Sequence, residues 1–468
     1  MPRLGPRRPG LLVTLLAGGI AAGLTLTALP GSAVDAPGTQ RTDTLFPGQG
    51  NTGYDVQHYD VRLSYVPATD RVSAQVTLTA RSRARLDSFH LDYDGPRLTG
   101  VTVDGRRAMV RRSGTELVVT PARPVASGHR FTARVSYAGT PQRLQDQDGS
   151  FEGWLRTGDG AITLNEPIGA LTWLPSNNTP ADKATYRFTL STPRGYRAVA
   201  NGALVSERVG ETRTTSVWSV REPMATYLAT VGFGRYRVTT GTYRSVDGRS
   251  IPLRSYVDAG ETPGSTTRLP EVLSTLEGWF GPYPFASAGS VVDDADVDYA
   301  LETQTRPFYP PGFADVLTVV HETAHQWFGD SLTVRDWHDL WLAEGFATYA
   351  EWLWTGSHGG RTPQQEFDRR YAKPADDPLW SPAPRRFTEP GQLFGDPVYQ
   401  RGAMTLQALR TRIGDADFAA LLKAWPRERR HGSVTTAQFE RLAERISGQD
   451  LTTLFRDWLD TDGRPSGY

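Results

Sequence analysis

The 468-residue chain contains no cysteine. This absence excludes a disulfide framework, a thiol nucleophile and thiolate ligands for a metal ion. A metal ion would have to be bound by histidine, aspartate or glutamate, and the chain has only eight histidines. Without disulfides, the stability of the fold has to come from the packing of its core.

The chain also lacks an excess of charge of either sign, because 51 basic residues balance 51 acidic ones. A balanced charge provides no basic surface, so we predict no nucleic-acid partner. The 12 Trp, 18 Tyr and 18 Phe are typical of folded cores, and the length allows two domains. Nothing in the sequence indicates an oligomeric state.

The first 33 residues have the pattern of a signal peptide. A basic start that includes Arg7 and Arg8 precedes an apolar run over 11–29, and small residues at 31–33 supply a cleavage site. The run is nearly long enough for a membrane anchor, but its glycines and threonines favour removal, which leaves no stable membrane span. We expect a secreted, extracellular protein, and the Arg7-Arg8 pair also fits twin-arginine export. Residues 34–44 are predicted to be a flexible lead.

Residues 45–245 carry mainly a period-two pattern. Val61, Leu63 and Tyr65 alternate with polar neighbours, and glycine and proline interrupt such runs at short intervals. This pattern predicts an N-terminal β domain whose sheets each have one solvated face.

Helical patterns dominate residues 246–468, although 251–256 still fits a strand. A capping box of Thr435 and Gln438 predicts the start of one helix. Further helices are predicted over 267–280, 313–328, 338–353, 397–413 and 451–459. The predicted fold class is therefore α+β, with a β domain followed by a mainly helical domain.

A metal-binding motif, His321-Glu322-Thr323-Ala324-His325, lies in the helix predicted over 313–328. Two histidines four residues apart share one helix face, so both imidazoles can bind one ion. Glu344 follows after 18 intervening residues on the next predicted helix and supplies a third ligand. We predict one Zn²⁺ per chain, bound by His321, His325 and Glu344, with Glu322 placed to polarise a water.

Two other residues near the motif have open roles. His338 could compete as a zinc ligand, but it lies off the helical face of Glu344, and we interpret it as a packing or supporting residue. Glu351 lies two turns after Glu344 on the same face. It either hydrogen-bonds to a zinc ligand or is a solvated surface residue.

The sequence around the motif resembles the aminopeptidase N family of zinc metallopeptidases, a gluzincin group. The strongest resemblance is in HETAHQWFGDSLTVRDWHDLWLAEGFATYAEWL, residues 321–353. It extends to YDVQHYDVRLSY (54–65), WLPSNNTPADKATYRF (173–188), PMATYL (223–228) and FRDWLDTDGRP (455–465). The resemblance implies a saddle-like β domain followed by a thermolysin-like catalytic domain, as in a short secreted bacterial member. Because the chain stops soon after residue 465, we expect no long helical C-terminal domain and a more open cleft.

The resemblance also implies roles for individual residues. The family's Gly-x-Met-Glu-Asn strand corresponds to residues 299–303, where Glu302 would bind the free α-amino group and Ala300 would line the substrate site. Glu166 matches a second position that holds the same amine. Tyr399, in the match to Tyr-x-Lys-Gly, would stabilise the oxyanion, because a tyrosine with an ordinary pKa of about 10 can donate a hydrogen bond at neutral pH.

Two positions in this strand depart from the family pattern. Tyr299 stands in place of glycine and Thr303 in place of asparagine, so we expect an altered backbone approach to the substrate carbonyl. Asp298, four residues before Glu302, would line the pocket for the first substrate residue and favour Lys or Arg. Alternatively, Asp298 belongs to a solvated or cation-binding acidic turn, formed with Asp293, Asp294 and Asp296.

Taken together, these residues predict a zinc-dependent aminopeptidase that acts on peptides with a free N-terminus. Glu322 would accept a proton from the attacking water and pass it to the leaving amine. Three alternatives remain at this point: a thermolysin-like endopeptidase, a zinc hydrolase of non-peptide substrates such as epoxides, and a secreted binding protein that retains zinc for structure.

Overall fold

The computed structural model describes residues 44–466. The predicted signal peptide at 1–33 and the predicted lead up to residue 43 lie outside these residues. Within 44–466, no helix combines the length and the apolar composition that a membrane crossing requires.

Strands fill the first half of the described chain. They are β1 (Tyr54–Val66), β2 (Arg71–Ser82), β3 (Phe89–Asp92), β4 (Arg97–Val103), β5 (Arg106–Arg107), β6 (Met109–Ser113), β7 (Glu116–Thr120), β8 (Arg130–Gly139), β9 (Arg143–Gln145), β10 (Phe151–Arg156), β11 (Ala161–Leu164), β12 (Ala184–Pro193), β13 (Arg197–Ala200), β14 (Ala203–Val209), β15 (Arg213–Met224) and β16 (Val231–Gly234). β3, β7 and β6 form a small sheet of their own.

The largest sheet has eight strands in the order β14-β15-β12-β1-β2-β8-β4-β5. β1 pairs antiparallel with β2 and parallel with β12, which places Val61 beside Val76 and Phe188. These three side chains are fully buried. Burial alternates along β1, as expected for a strand with one face on the core, so the predicted period-two pattern is confirmed.

A five-stranded sheet has the order β13-β16-β11-β10-β9, and segments that flank its strands line the active-site cavity. Strand β11 leads into Glu166, and the loop between β9 and β10 contains Asp148. The buried carboxylate of Glu152 in β10 accepts hydrogen bonds from the backbone N–H groups of Ile168 and Gly169, at 3.1 and 2.7 Å. These bonds fix the segment that follows Glu166.

A third sheet continues the β pattern beyond residue 245. It consists of β17 (Arg237–Arg244), β18 (Ser250–Val257), β19 (Val291–Val292) and β20 (Phe308–Tyr309). β17 and β18 form an antiparallel hairpin, and the predicted domain boundary at 245/246 falls in its turn. The turn around Gly248 thus connects two paired strands, and the first α-helix begins only at Leu269.

Helices dominate the rest of the described chain. They are α1 (Leu269–Phe280), α2 (Val316–Ala324), α3 (Trp341–Ser357), α4 (Pro363–Tyr371), α5 (Gly402–Ile413), α6 (Asp415–Glu428), α7 (Thr436–Ser447) and α8 (Thr452–Phe455). A two-stranded parallel pair, β21 (Thr333–Val334) with β22 (Ser433–Val434), joins the segment after α2 to the segment before α7. The predicted α+β class, with a sheet-rich part followed by a helical part, is confirmed.

Several helix ends differ from those predicted. α2 begins at Val316 because the carboxylate of Asp315 caps it, and it ends at Ala324 rather than at residue 328. α3 begins at Trp341, since Asp336 caps a short 3₁₀ turn ahead of it. The segments predicted as helices over 397–413 and 451–459 each include a wider π-type turn, at Pro397–Arg401 and Arg456–Asp460.

Two glycines let α3 and α5 approach each other closely. A Cβ atom on Gly345 would lie 2.8 Å from the backbone carbon of Gly402, which is closer than side-chain carbons pack. Gly345 follows Glu344, and Gly402 comes three residues after Tyr399. This contact therefore brings the end of the Tyr399 turn against the part of α3 that carries Glu344.

Candidate active site

Helices α2 and α3 bring the three predicted zinc ligands together. One ligand atom from each of His321, His325 and Glu344 lies within 4.8 Å of the others. The Nε2 atoms of His321 and His325 are 3.1 and 3.3 Å from Oε2 of Glu344. Two imidazole nitrogens and one carboxylate oxygen form a donor set that Zn²⁺ prefers, so these residues fit the predicted ion.

The other nitrogen of each imidazole, Nδ1, forms a hydrogen bond within the protein. Nδ1 of His321 lies 2.7 Å from Oε1 of Glu351, and Nδ1 of His325 lies 2.9 Å from the carbonyl oxygen of Phe328. Because both partners accept hydrogen bonds, both Nδ1 atoms donate, so that Nε2 of each ring, once deprotonated, can bind a metal ion. Of the two roles left open for Glu351, the hydrogen bond to a predicted zinc ligand is the one observed.

The charge of Glu344 also suits a cation. Burial by itself would raise the pKa of this carboxyl, but the charge of His325 and the hydrogen bonds from both imidazoles lower it to about 2. Glu344 is therefore ionised at neutral pH although its side chain is almost fully buried.

His338 takes no part in this group. Its Nδ1 lies 2.9 Å from Oδ1 of Asp336 and its Nε2 lies 3.2 Å from the carbonyl oxygen of Phe387. Its ring stacks on the ring of Phe387 with centroids 5.0 Å apart. These contacts agree with a packing role at the start of a helix.

Glu322 and Glu302 approach the ligands from the cavity side. One atom from each of Glu302, Glu322 and His325 lies within 4.8 Å of the others. Both glutamates are buried. Burial raises the pKa of Glu322 to about 8, although the charges of the two histidines oppose this rise.

A second pair of carboxylates, Glu302 and Glu166, forms no ion pair with Lys or Arg in the described part of the chain. Each is more than nine-tenths buried, and within the described residues Oε1 of each has no hydrogen-bond partner. Burial and then the charge of Glu302 raise the pKa of Glu166 well above its ordinary value. Buried carboxylates with an unsatisfied oxygen are costly unless a cation pairs with them.

Tyr399 follows the predicted zinc ligands in the sequence, whereas Glu166 and Glu302 precede them. In space, Tyr399 lies beside His321. Its ring is parallel to the imidazole of His321, with centroids 6.0 Å apart. Burial and then the charge of Glu344 raise the pKa of Tyr399 well above its ordinary value, so its hydroxyl keeps its proton. Buried Arg401 fixes the π-type turn of Tyr399, because its guanidinium donates to four backbone carbonyls, those of Trp380, Asp457, Trp458 and Thr461.

A cavity of about 290 Å³ joins these groups. Its lining includes every predicted site residue, namely His321, Glu322, His325, Glu344, Glu302, Glu166, Tyr399, Ala300 and Asp298. Ala300 is half-buried and Asp298 is exposed. Tyr299, which departs from the family glycine, forms part of the wall and donates a hydrogen bond to the carbonyl oxygen of Phe151 at 2.6 Å.

Several contributors to the cavity had no signal in the sequence. Gln326, next to a predicted ligand, donates from Nε2 to the carbonyl oxygen of Glu302 at 3.0 Å and accepts from the backbone N–H of Thr305 at 2.7 Å. It thereby ties the segment of Glu302 to the end of α2. Asp148 and Phe394, from distant loops, also line the cavity.

Comparisons with known families and structures agree with this arrangement. The model of the peptidase M1 N-terminal domain matches residues 55–228, and that of the peptidase family M1 domain matches 314–458. The crystal structure of an M1 zinc metallopeptidase from Deinococcus radiodurans is 31% identical, with a TM-score of 0.83 over 92% of this chain and 99% of that one. A mutant of an M1 zinc metallopeptidase from the same organism, bound to a Tyr-Ser-Ala substrate, is also 31% identical, with a TM-score of 0.83 over 92% of this chain and 100% of that one.

Longer curated proteins match as well. Aminopeptidase N from Streptomyces lividans is 25% identical over 457 residues, which cover 82% of this chain and 51% of the relative. A probable aminopeptidase 2 from Sulfurisphaera tokodaii is 24% identical over 333 residues, which cover 65% of this chain and 42% of the relative. The chain thus spans about half, or less, of the length of these curated relatives.

Proposed function

We propose that this chain, which belongs to the peptidase M1 family of zinc metallopeptidases, is a zinc-dependent aminopeptidase. The observation that carries the proposal is the pair of buried carboxylates, Glu302 and Glu166, each with one oxygen that has no partner among the described residues. The α-ammonium group of a peptide would supply the missing cation and hydrogen-bond donors. The relatives named aminopeptidases, and the related structure with a Tyr-Ser-Ala substrate, support the same reading.

The proposed roles follow from the placement of the side chains. His321, His325 and Glu344 would hold one zinc ion, which supplies Lewis-acid polarisation of the water and the scissile carbonyl. Glu322 accepts the proton of the attacking water and returns it to the leaving amine. Tyr399 donates a hydrogen bond to the carbonyl oxygen as negative charge develops on it.

Glu302 and Glu166, the proposed amine-binding pair, would make the chain an exopeptidase rather than an endopeptidase. Glu302 lies close to Glu322 and His325, so an ammonium held there leaves room for only one residue before the scissile bond. Ala300, in the same segment, would contact the substrate backbone. An endopeptidase with the same zinc ligands would not need two buried carboxylates that each have an oxygen without a partner among the described residues.

The test is to measure cleavage of Leu- and Arg-aminoacyl fluorogenic substrates with and without an N-acetyl cap. We expect turnover of the uncapped substrates only, with one zinc per chain by metal analysis. Equal cleavage of capped and uncapped substrates would favour the endopeptidase. A zinc-loaded chain that cleaves neither, nor any peptide in a mixed library, would contradict peptidase action.

We also propose a preference for basic N-terminal residues. Asp298 and Asp148 both line the cavity and both are exposed, which places acidic groups at its solvent side. A Lys or Arg side chain of the first substrate residue could reach them while its ammonium group is held by Glu302.

Export from the cytoplasm is a proposal as well. Its support is the sequence of residues 1–33, with a basic start, an apolar run and small residues before the cleavage position. Expression of the full chain with its native leader, followed by N-terminal sequencing of protein from the medium, would test it. A mature N-terminus near residue 34 is expected, whereas an uncleaved chain retained with the cells would contradict the proposal.

A further inference from the structure

An acidic cluster, formed by Asp159, Asp258, Asp293 and Asp294, lies apart from the zinc ligands. Asp258 follows β18 and Asp293 follows β19, and these strands are parallel neighbours. Because the carboxyl ends of parallel strands meet at one edge of a sheet, the two acids are brought side by side. One carboxylate oxygen from each of Asp258, Asp293 and Asp294 lies within 4.8 Å of the others.

The turn between β10 and β11 brings the fourth acid to the cluster. The backbone N–H of Gly158 donates to Oδ1 of Asp294 at 2.8 Å. The next residue, Asp159, is close enough for the charges of Asp258 and Asp294 to raise its pKa, in addition to the effect of burial. Its Oδ2 accepts from the backbone N–H of Arg235 at 3.0 Å.

Two oxygens of this cluster have no partner. Oδ1 of Asp258 and Oδ1 of Asp159 are inaccessible to solvent and accept no hydrogen bond within the described residues. Asp258 is 8% exposed and Asp293 is 0% exposed. A buried carboxylate oxygen without a donor is costly, and a second carboxylate beside it adds repulsion.

Positive groups of the protein do not neutralise the cluster. In the described part of the chain, none of the four carboxylates forms an ion pair with Lys or Arg. The charge of Arg235 acts on Asp159, but its guanidinium stacks over the ring of Tyr196, 5.0 Å from the centroid. The hydroxyl of Tyr236 donates to Oδ2 of Asp293 and the backbone N–H of Asp294 donates to its Oδ1 at 2.9 Å, which satisfies both oxygens without neutralising the charge.

The geometry points to a binding site for a hard divalent cation, Ca²⁺, formed by Asp258, Asp293 and Asp294 with Asp159 at its edge. Two oxygens that bind one Ca²⁺ at about 2.3–2.6 Å can lie at most about 5.2 Å apart, which includes the spacing observed. A set of carboxylate oxygens without nitrogen or sulfur excludes a preference for zinc or copper. Ca²⁺ is favoured over Mg²⁺, because Mg²⁺ retains most of its waters and tolerates fewer carboxylates. The inference does not depend on the proposed peptidase activity.

A cation at this point would join two segments that lead to the cavity. Glu166 follows Asp159 by seven residues, and Glu302 follows Asp294 by eight. The cation would therefore hold the bases of both segments that carry the amine-binding carboxylates. We expect it to stabilise the fold and not to take part in the reaction.

The experiment uses the mature chain with zinc retained, as checked by metal analysis, in a buffer freed of calcium. Addition of CaCl₂ should raise the Tm by about 2 °C or more at saturation, with an affinity in the range of about 10⁻⁴–10⁻³ M that extracellular calcium sites show. TbCl₃ should give luminescence when the aromatic rings are excited, because Tyr236 contacts a proposed ligand. Added Ca²⁺ should displace it.

Matched variants separate the cluster from general charge effects. Asp258→Asn should abolish both the Tm rise and the terbium signal, whereas Asp296→Asn, an exposed acid of the same loop, should keep both. If Asp258→Asn does not fold, Asp294→Asn tests the same point at a half-buried position. An absent Tm response in the unsubstituted chain, or an equal response in the Asp258 or Asp294 variant, would overturn the inference. Mg²⁺ at the same concentrations should raise the Tm less than Ca²⁺, and an equal rise would contradict the assignment to Ca²⁺.

Discussion

The carboxylates at the two ends of the cavity differ in their hydrogen-bond partners and in the direction of their pKa shifts. At the zinc end, Glu344 lies between two imidazoles that satisfy it, and its pKa is lowered to about 2 despite burial. At the amine end, Glu302 and Glu166 are also buried, yet each has an oxygen without a partner within residues 44–466, and burial raises their pKa values. Among the described residues, donors therefore satisfy Glu344 more fully than Glu302 or Glu166.

This difference indicates what each end is built to receive. The zinc end positions its ligands through the protein itself, since Glu351 and the carbonyl oxygen of Phe328 orient the two imidazoles. At the amine end, the carboxylate oxygens without partners would accept hydrogen bonds from the substrate's ammonium group, which binds and leaves in every catalytic cycle. A substitution at one end should consequently change a different measurable quantity from a substitution at the other.

The largest effect is expected for Glu322→Gln, which acts between the two ends. The amide cannot accept the proton of the attacking water, so kcat should fall by about 10²–10⁴-fold. Zinc content by metal analysis should stay at one per chain, because the three ligands are unchanged. Turnover at the original rate with zinc bound would show that Glu322 is not the base.

Tyr399→Phe should lower kcat by about 10²–10³-fold, since it removes a single hydrogen-bond donor to the developing oxyanion. KM for an uncapped aminoacyl substrate should change little, because the amine end is intact. A large rise in KM with an unchanged kcat would instead place the Tyr399 hydroxyl at the substrate in its ground state.

Glu302→Gln tests the amine end. Loss of a hydrogen-bonded charge worth about 1.5–3 kcal/mol should lower kcat/KM for uncapped substrates about ten- to hundredfold. Zinc affinity should be unchanged. If kcat/KM for uncapped substrates stays at that of the unsubstituted chain, Glu302 does not bind the amine, and the contrast between the ends is wrong.

Glu351→Gln is the matched change at the zinc end. It weakens the acceptor of the His321 Nδ1 hydrogen bond, so zinc affinity should fall by about 10–100-fold, as is typical for such supporting partners. KM for uncapped substrates in zinc-saturated enzyme should remain that of the unsubstituted chain, because the amine end is intact. A raised KM with unaltered zinc affinity would contradict the expectation.

The parts of the site that sequence predicted best are those that depend on local spacing. His321 and His325 meet because residues four apart share a helix face, and the next helix brings Glu344 to them. Glu166 and Tyr399 are different. Their positions depend on the Glu152 hydrogen bonds and on the Gly345–Gly402 contact, which no local pattern reveals, so only the family resemblance indicated them.

The same distinction applies to the fold. Alternation predicted the strands, but it could not predict that β1 pairs in parallel with β12, because that pairing joins residues more than a hundred positions apart. Gln326 was missed for a similar reason, since its function is to bond the backbone of a loop that precedes it by more than twenty residues. The helix end predicted at 328 and the helix start predicted at 338 were misplaced, because α2 ends at Ala324 and a capped 3₁₀ turn precedes the start of α3 at Trp341.

The smallest effect is expected at the solvent side of the amine end. Asp298→Asn should lower kcat/KM for an Arg substrate relative to a Leu substrate, because it removes one acid that could pair with a basic first residue. Since Asp298 is exposed, the contact is worth no more than about 1 kcal/mol, and the ratio should change by about fivefold at most. Added salt should reduce the difference, as it screens exposed charges. Asp148→Asn should act in the same direction, and the double variant should act more strongly. Asp296→Asn, which removes the same charge from the same acidic run, provides the control. An unchanged Arg/Leu ratio in the double variant, measured at low salt, would mean that neither acid contacts the first residue, and the basic preference would have no remaining support.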